Sequence, residues 1–385
     1  MTGGIFVRRW FIYSRKIFFL LLVLIFLVNS PGAYSRPGLA AQYEMEQHII
    51  NADQQTPENL YSQYLPVILK SPLPAAPPPT PIALGIYPQG WPGTDGMPEA
   101  HAIDAWAGKG MSIVGTFIDI EDISKDVDIT GQLTTIWQNG YTPYVNLMTD
   151  NTAAQIAAGK VDTHLKAWAQ AFKVFANGGE RRAFIAPLPE MNGDWIIYGG
   201  DAQGFKNAYW HIQSIFASQG VPEQSVRWVF APNGASYKKD NFELYYPGDS
   251  TVAVVGFSSY NHGCFPGYPS QVWLGEYKTF RTYLVRMTDM APTKPIFISQ
   301  TGTTAWYCPR EYLLDQKNTW LYDAYSYLAS YPGLRAVIYF NILVPSEGTD
   351  WPFWTSSFQY TGFRDGVANS AYGYISPANM KNVIP

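Results

Sequence analysis

The chain predicts a (β/α)8 barrel, and three observations predict it. Eight apolar, β-branched runs recur roughly every 25 to 45 residues from Ile82 onward, helical segments with one apolar face lie between them, and no glycine-rich phosphate loop follows the first run. The missing loop argues against the main competitor, an open doubly wound sheet. The runs are Ile82 to Tyr87, Ser112 to Asp119, Thr142 to Met148 and Ala183 to Pro189, then Val226 to Ala231, Val252 to Ser258, Pro295 to Gln300 and Ala336 to Asn341. Most end in polar or aromatic residues, and the carboxyl ends of barrel strands are where such a fold builds its site. Between them, Phe205, Ala208, Tyr209, Ile212 and Phe216 fall on one helical face, as do Trp320, Leu321, Ala324, Tyr325 and Leu328.

The segments before the barrel read differently. Arg8, Arg9, Arg15 and Lys16 precede an apolar run from Ile17 to Val28, with small residues at Ala33 and Ser35, which is the pattern of an export signal over residues 1–35. The run is short for a membrane span, so cleavage after Ser35 is the expectation, with an uncleaved anchor as the alternative. Residues 36–81 are irregular and end in the stiff, proline-rich stretch Ser71 to Pro81, a stalk before a catalytic domain at 82–385. A secreted protein, possessing a membrane attachment only if the signal stays uncleaved, is the resulting expectation. Two cysteines, Cys264 and Cys308, suit an oxidising compartment and could form one bridge across the loops after the sixth and seventh strands. That bridge would pin Trp306 and Tyr307 over the cleft.

Composition narrows the partner. Charged residues make up 15% of the chain and aromatic residues 16%, with 13 Trp and 27 Tyr, enough flat amphipathic rings to line a sugar-binding surface. The net charge is −4 with no basic stripe, which excludes a polyanion such as nucleic acid. No metal-ligand spacing or cofactor motif is present, and a monomer is expected.

Two segments carry the chemistry: Ala186-Pro187-Leu188-Pro189-Glu190-Met191-Asn192-Gly193-Asp194-Trp195 and Lys294-Pro295-Ile296-Phe297-Ile298-Ser299-Gln300-Thr301-Gly302. Each is read as an apolar strand ending in a carboxyl or carboxamide side chain. Sugar cleavage needs two acidic groups facing each other, one to protonate the leaving oxygen and one to trap or stabilise the oxocarbenium ion. Glu190, half-buried beside an aromatic wall, would hold its proton and serve as the acid. Gln300 brings no charge and cannot attack an anomeric carbon, although it can hydrogen-bond a sugar hydroxyl. Tyr260, on the sixth strand, is placed to reach position 300 with its hydroxyl, and His262 to orient substrate. Trp91 and Trp306 complete the expected aromatic lining.

The segments Pro189-Glu190-Met191-Asn192-Gly193-Asp194-Trp195 and Ile298-Ser299-Gln300-Thr301-Gly302 resemble the two active-site motifs of glycoside hydrolase family 26, a family of β-mannanases and related β-glycanases on this barrel. The resemblance covers roughly Ile82 to the C-terminus. It implies Glu190 as acid/base, Trp195 and Tyr260 as site residues, position 300 as the nucleophile, and a β-linked oligo- or polysaccharide as the partner, while Asn192 and Asp119 are expected among the substrate-binding residues. Two departures stand out. The family commonly has His before its acid/base, where this chain has Pro189, and Glu as its nucleophile, where this chain has Gln300.

Four explanations of Gln300 remain open at this level. The chain is a disabled variant of an active enzyme, or a glycan-binding relative without hydrolysis, or an enzyme recruiting another carboxylate, or one whose 2-acetamido substrate supplies its own nucleophile. For the third, Asp119 after the second strand and Glu347 or Asp350 after the eighth lie on the correct rim. A carboxylate roughly 6.5 to 9.5 Å from Glu190 would permit inversion through water.

Overall fold

The computed structural model describes residues 80–384, apart from 91–95, 126, 235–240, 265–271, 309–310 and 345–348. The expected signal and nearly all of the linker therefore lie outside the described residues, as do Trp91 and Glu347. Eight parallel strands close into a barrel: β1 (Ala83–Tyr87), β2 (Ile113–Asp119), β3 (Thr142–Met148), β4 (Ala183–Pro187), β5 (Val226–Phe230), β6 (Val254–Asn261), β7 (Ile296–Thr303) and β8 (Leu334–Phe340). Strand order around the barrel follows sequence order, and β1 pairs with β8 to close it. The (β/α)8 expectation holds, and the open sheet is excluded.

The helices that cover the barrel begin where the sequence supplies caps. Asp128 accepts the amide of Gly131 (2.8 Å) at the start of α2 (Ile129–Gln138), after α1 (Gly96–Ala107) has linked β1 to β2. Helix α3 (Asp162–Ala176) ends on left-handed Asn177, and Asp201 caps α4 (Ala202–Ser218) through the Gly204 amide at 2.8 Å. Helices α5 (Glu276–Met290) and α6 (Leu314–Leu328) complete the βα units flanking β7. All ten apolar residues expected on the inner faces of α4 and α6 are buried. Between β5 and β6 the described connection contains only a 3-10 turn, Phe242–Tyr245, in place of a full helix.

The strand ends differ from expectation in ways that matter. β4 stops at Pro187, so Glu190 stands in a turn beyond the strand, whereas β7 continues to Thr303 and leaves Gln300 within it. Pairing of β6 with β7 steps from Phe257↔Ile298 to Ser258↔Gln300, and β8 shows the same jump from Val337↔Ile298 to Tyr339↔Thr301. One extra residue, Ser299, is thus inserted into β7. A bulge of this kind reverses the in-out alternation. Without it Gln300 would follow Ile298 to the helix-facing side; with it, Gln300 shares the inward face of Ser258.

Candidate active site

The inward layer at the carboxyl end of the barrel is polar and interlocked. Tyr87, the last residue of β1, lies across the lumen, and its ring occupies the space a Cβ on Gly115 would need, 2.2 Å away. Its hydroxyl donates to the Ser299 carbonyl (3.0 Å) and accepts from Asn146 Nδ2 (2.9 Å). Asn146 Oδ1 in turn accepts from Gln300 Nε2 at 3.4 Å, and Tyr260 donates its hydroxyl to Gln300 Oε1 at 3.1 Å. The reach of Tyr260 to position 300 is therefore present. Both ends of the buried Gln300 amide are engaged. Burial raises the Tyr87 hydroxyl well above its ordinary range, so it sits here as a neutral phenol.

Glu190 approaches this layer from β4. Leu188 and Glu190 both adopt positive φ (53° and 59°), a left-handed conformation costing an ordinary side chain roughly 1–2 kcal/mol each. The turn is held from both sides: the Leu188 amide donates to the Leu147 carbonyl of β3, and the Glu190 amide to the Ala231 carbonyl after β5, each at 2.8 Å. Asn233 Nδ2 donates to Glu190 Oε1 at 3.1 Å, and the Ser258 hydroxyl donates to the same oxygen. Glu190 thus binds Ser258, and Ser258 is the register partner of Gln300. The two predicted chemical positions converge at one rim. The hydrogen bonds to the carboxyl come from the polar donors Asn233 and Ser258, and Tyr87 lies close enough to feel its charge.

The remaining expected residues divide. Asn192 is buried, with its amide accepting from the Asn233 backbone N–H and donating to the Asn233 carbonyl, each at 2.8 Å. It sets the residue that holds Glu190. Half-buried Trp195 folds over Gly193, whose missing Cβ would lie 2.6 Å from the indole. His262 packs between Tyr260 (5.8 Å between centroids) and Trp351 (5.1 Å), and burial lowers its imidazole to about 4, so it is neutral at ordinary pH. Asp119 is half-buried at the end of β2. Asp350 is no spare carboxylate: its oxygens accept the Ala305 amide, the Tyr312 hydroxyl and the fully buried Lys317 ammonium. Lys317 also donates to the carbonyls of Asp350, Trp351 and Pro352, and burial lowers it to about 8 despite Asp350.

Cys264 and Cys308 form a disulfide, with Cα atoms 5.1 Å apart. Trp306 and Tyr307 stand beside it in a two-stranded ribbon with Glu311 and Tyr312, and the Trp306 ring meets Tyr312 edge-on at 5.1 Å. Gly263 (φ +57°) is required here, because a Cβ would lie 2.0 Å from the Trp306 carbonyl. Residues the sequence did not single out include Tyr87, Asn146, Asn233 and Trp351, the last packing on Tyr260 at 5.0 Å. A polar residue just past an apolar strand, as in Phe230-Ala231-Pro232-Asn233, was the available signal. Among the described residues no group of three or more His, Cys, Asp or Glu side chains is placed to hold a metal ion.

The geometry is that of a closed eight-stranded barrel with a carboxyl group turned to its mouth beside a polar inward layer. The sequence model of glycosyl hydrolase family 26 matches residues 160–328, a stretch that holds both Glu190 and Gln300. A mannan endo-1,4-beta-mannosidase of Bacillus subtilis is 26% identical over 205 residues, covering 43% of this chain and 55% of that relative. The match thus spans only about half of the mannosidase. Together these two matches support kinship with family 26. Among solved structures, a Bacillus subtilis mannanase covers 78% of this chain and 88% of its own (18% identity, TM-score 0.52). A family 26 β-mannanase from Bacteroides ovatus covers 80% and 93% (14% identity, TM-score 0.55). At these identities the likeness is one of fold.

Proposed function

We propose that the chain is a secreted member of glycoside hydrolase family 26 directed at β-linked polysaccharide of the mannan or glucan type. Glu190 is its proton donor, and Gln300 stands at the position of the nucleophile. The observation that carries this reading is the short path from Glu190 through the Ser258 hydroxyl to Gln300 on the adjoining strand. Asn233 and Ser258 both donate to Oε1, which leaves Oε2 as the oxygen able to carry a proton to a leaving group. The mannosidase relative and the mannanase folds favour a β-glycan as ligand.

Gln300 cannot form a glycosyl ester and brings no charge against an oxocarbenium ion, so double displacement is not open to this chain as it stands. The interlocked amide favours a second reading, glycan binding without turnover, because Tyr260 and Asn146 hold Gln300 as a fixed hydrogen-bonding group. One experiment separates the two. The protein is incubated with mannan, mixed-linkage glucan, xylan and cellulose, and reducing ends and retardation in affinity gels are both measured. Binding without cleavage assigns the non-catalytic role. Cleavage abolished by Glu190→Gln assigns a working enzyme with another carboxylate in service. Neither binding nor cleavage on any glycan overturns the proposal.

A further inference from the structure

The end of the barrel opposite the candidate site gathers two arginines that form no salt bridge among the described residues. Register pairs Tyr144 with Phe184 and Phe184 with Arg227, and the Tyr144, Phe184 and Phe297 rings meet inside the lumen. Two residues earlier on the same inward faces come Thr142 on β3 and Arg182 just before β4. Ser225 immediately precedes β5, and Arg227 lies within it. Four polar groups are therefore gathered at the amino ends of three consecutive strands.

Each of the four carries a buried atom without a partner. Thr142 Oγ1, Arg182 Nη1, Ser225 Oγ and Arg227 Nε are all buried atoms without a hydrogen-bond partner. Arg182 is 7% exposed, and Thr142 and Ser225 are fully buried. No carboxylate among the described residues forms a salt bridge with either guanidinium; Glu223, the one acidic group felt by Arg227, is itself exposed. Burial, and then Arg227, holds Arg182 below the usual guanidinium range. A buried guanidinium beside a half-buried one, with no salt bridge to either, is costly unless an anion joins them.

We propose that Arg182 and Arg227 bind a small oxyanion at the floor of the barrel, with the Thr142 and Ser225 hydroxyls completing its hydrogen bonds. Guanidinium forks match the spacing of oxyanion oxygens, and hydroxyls donate to whatever oxygen the forks leave. Arg227 is only half-buried, which gives the anion a route in from the amino-terminal face. Such a ligand braces β3, β4 and β5, the strands that carry the Glu190 turn at their other ends. The inference does not depend on the glycan reading, because it concerns the opposite face.

The test uses the full chain, dialysed into chloride buffer and titrated with inorganic phosphate at constant ionic strength, by calorimetry and by thermal melting. Saturable one-to-one binding is expected, with Tm rising by about 5 °C at a hundredfold excess over Kd. Arg182→Met and Arg227→Met should each weaken binding at least tenfold, and Arg227→Lys, which keeps the charge but loses the fork, should weaken it as well. Sulfate and acetate are then competed against phosphate to tell a tetrahedral anion from a carboxylate. Absence of saturable heat with an unchanged Tm in the parent protein overturns the proposal, as does unaltered binding in all variants that fold.

Discussion

The two chemical positions of the site are built on different kinds of backbone. Glu190 stands on a turn with two positive-φ residues beyond the end of β4, anchored to its neighbours by single hydrogen bonds. Gln300 sits inside β7, turned inward by the Ser299 bulge and flanked by paired strands. The first is held by two backbone hydrogen bonds and the side chains of Asn233 and Ser258, the second by the sheet itself. A change at 300 should therefore alter chemistry with little effect on structure, whereas changes around 190 should move the group before they change its chemistry.

The largest expected effect tests the sheet-held position. Gln300→Glu places a carboxylate on a strand position aimed into the mouth, and β-glycan hydrolysis should rise by about 10³-fold or more, with a Tm within a few degrees of the parent. Kinetics on manno- and gluco-oligosaccharides measure it. A variant that stays inert on every glycan the parent binds would place the nucleophile elsewhere.

Next comes the support beneath Tyr260. Lys317→Met leaves Asp350 without its cation and three carbonyls without their donor, and should lower stability by about 3 kcal/mol in chemical denaturation. Smaller still is Asn192→Ala, which removes the double hydrogen bond to Asn233 and should reduce stability by roughly 1–3 kcal/mol. Because Asn233 in turn holds Glu190, activity of the Gln300→Glu enzyme should fall further in this background than Tm alone explains.

A pH dependence is expected as well. His262 is lowered to about 4 in the folded protein from an ordinary value of 6.5. Between those values the unfolded chain binds a proton that the folded chain refuses, so stability is complete above about 6.5 and declines as pH falls toward 4. Melting curves from pH 7 to 4 should show this slope, and His262→Gln should flatten it. An unchanged slope in that variant would assign the acid sensitivity to other groups.

Much of this was readable from the order of residues. Eight β-branched runs interleaved with amphipathic helices point to a barrel because each apolar face must be buried, and run length with β-branched content tells strand from helix. Tyr260 and position 300 could be paired because consecutive barrel strands are neighbours, and Cys264 and Cys308 follow those same strands. The Ser299 bulge was not readable, since an inserted residue looks like any other until its partners on β6 and β8 are known.

The sequence by itself determined the barrel, the strand that carries each chemical group, and the amide at 300, because these follow from local pattern and residue identity. Only the tertiary structure decided that Asn192 grips Asn233, that Asp350 belongs to Lys317, and that two arginines meet at the floor with buried N–H groups unsatisfied. Those outcomes depend on which groups far apart in the chain come within hydrogen-bonding distance, and no local periodicity encodes that choice.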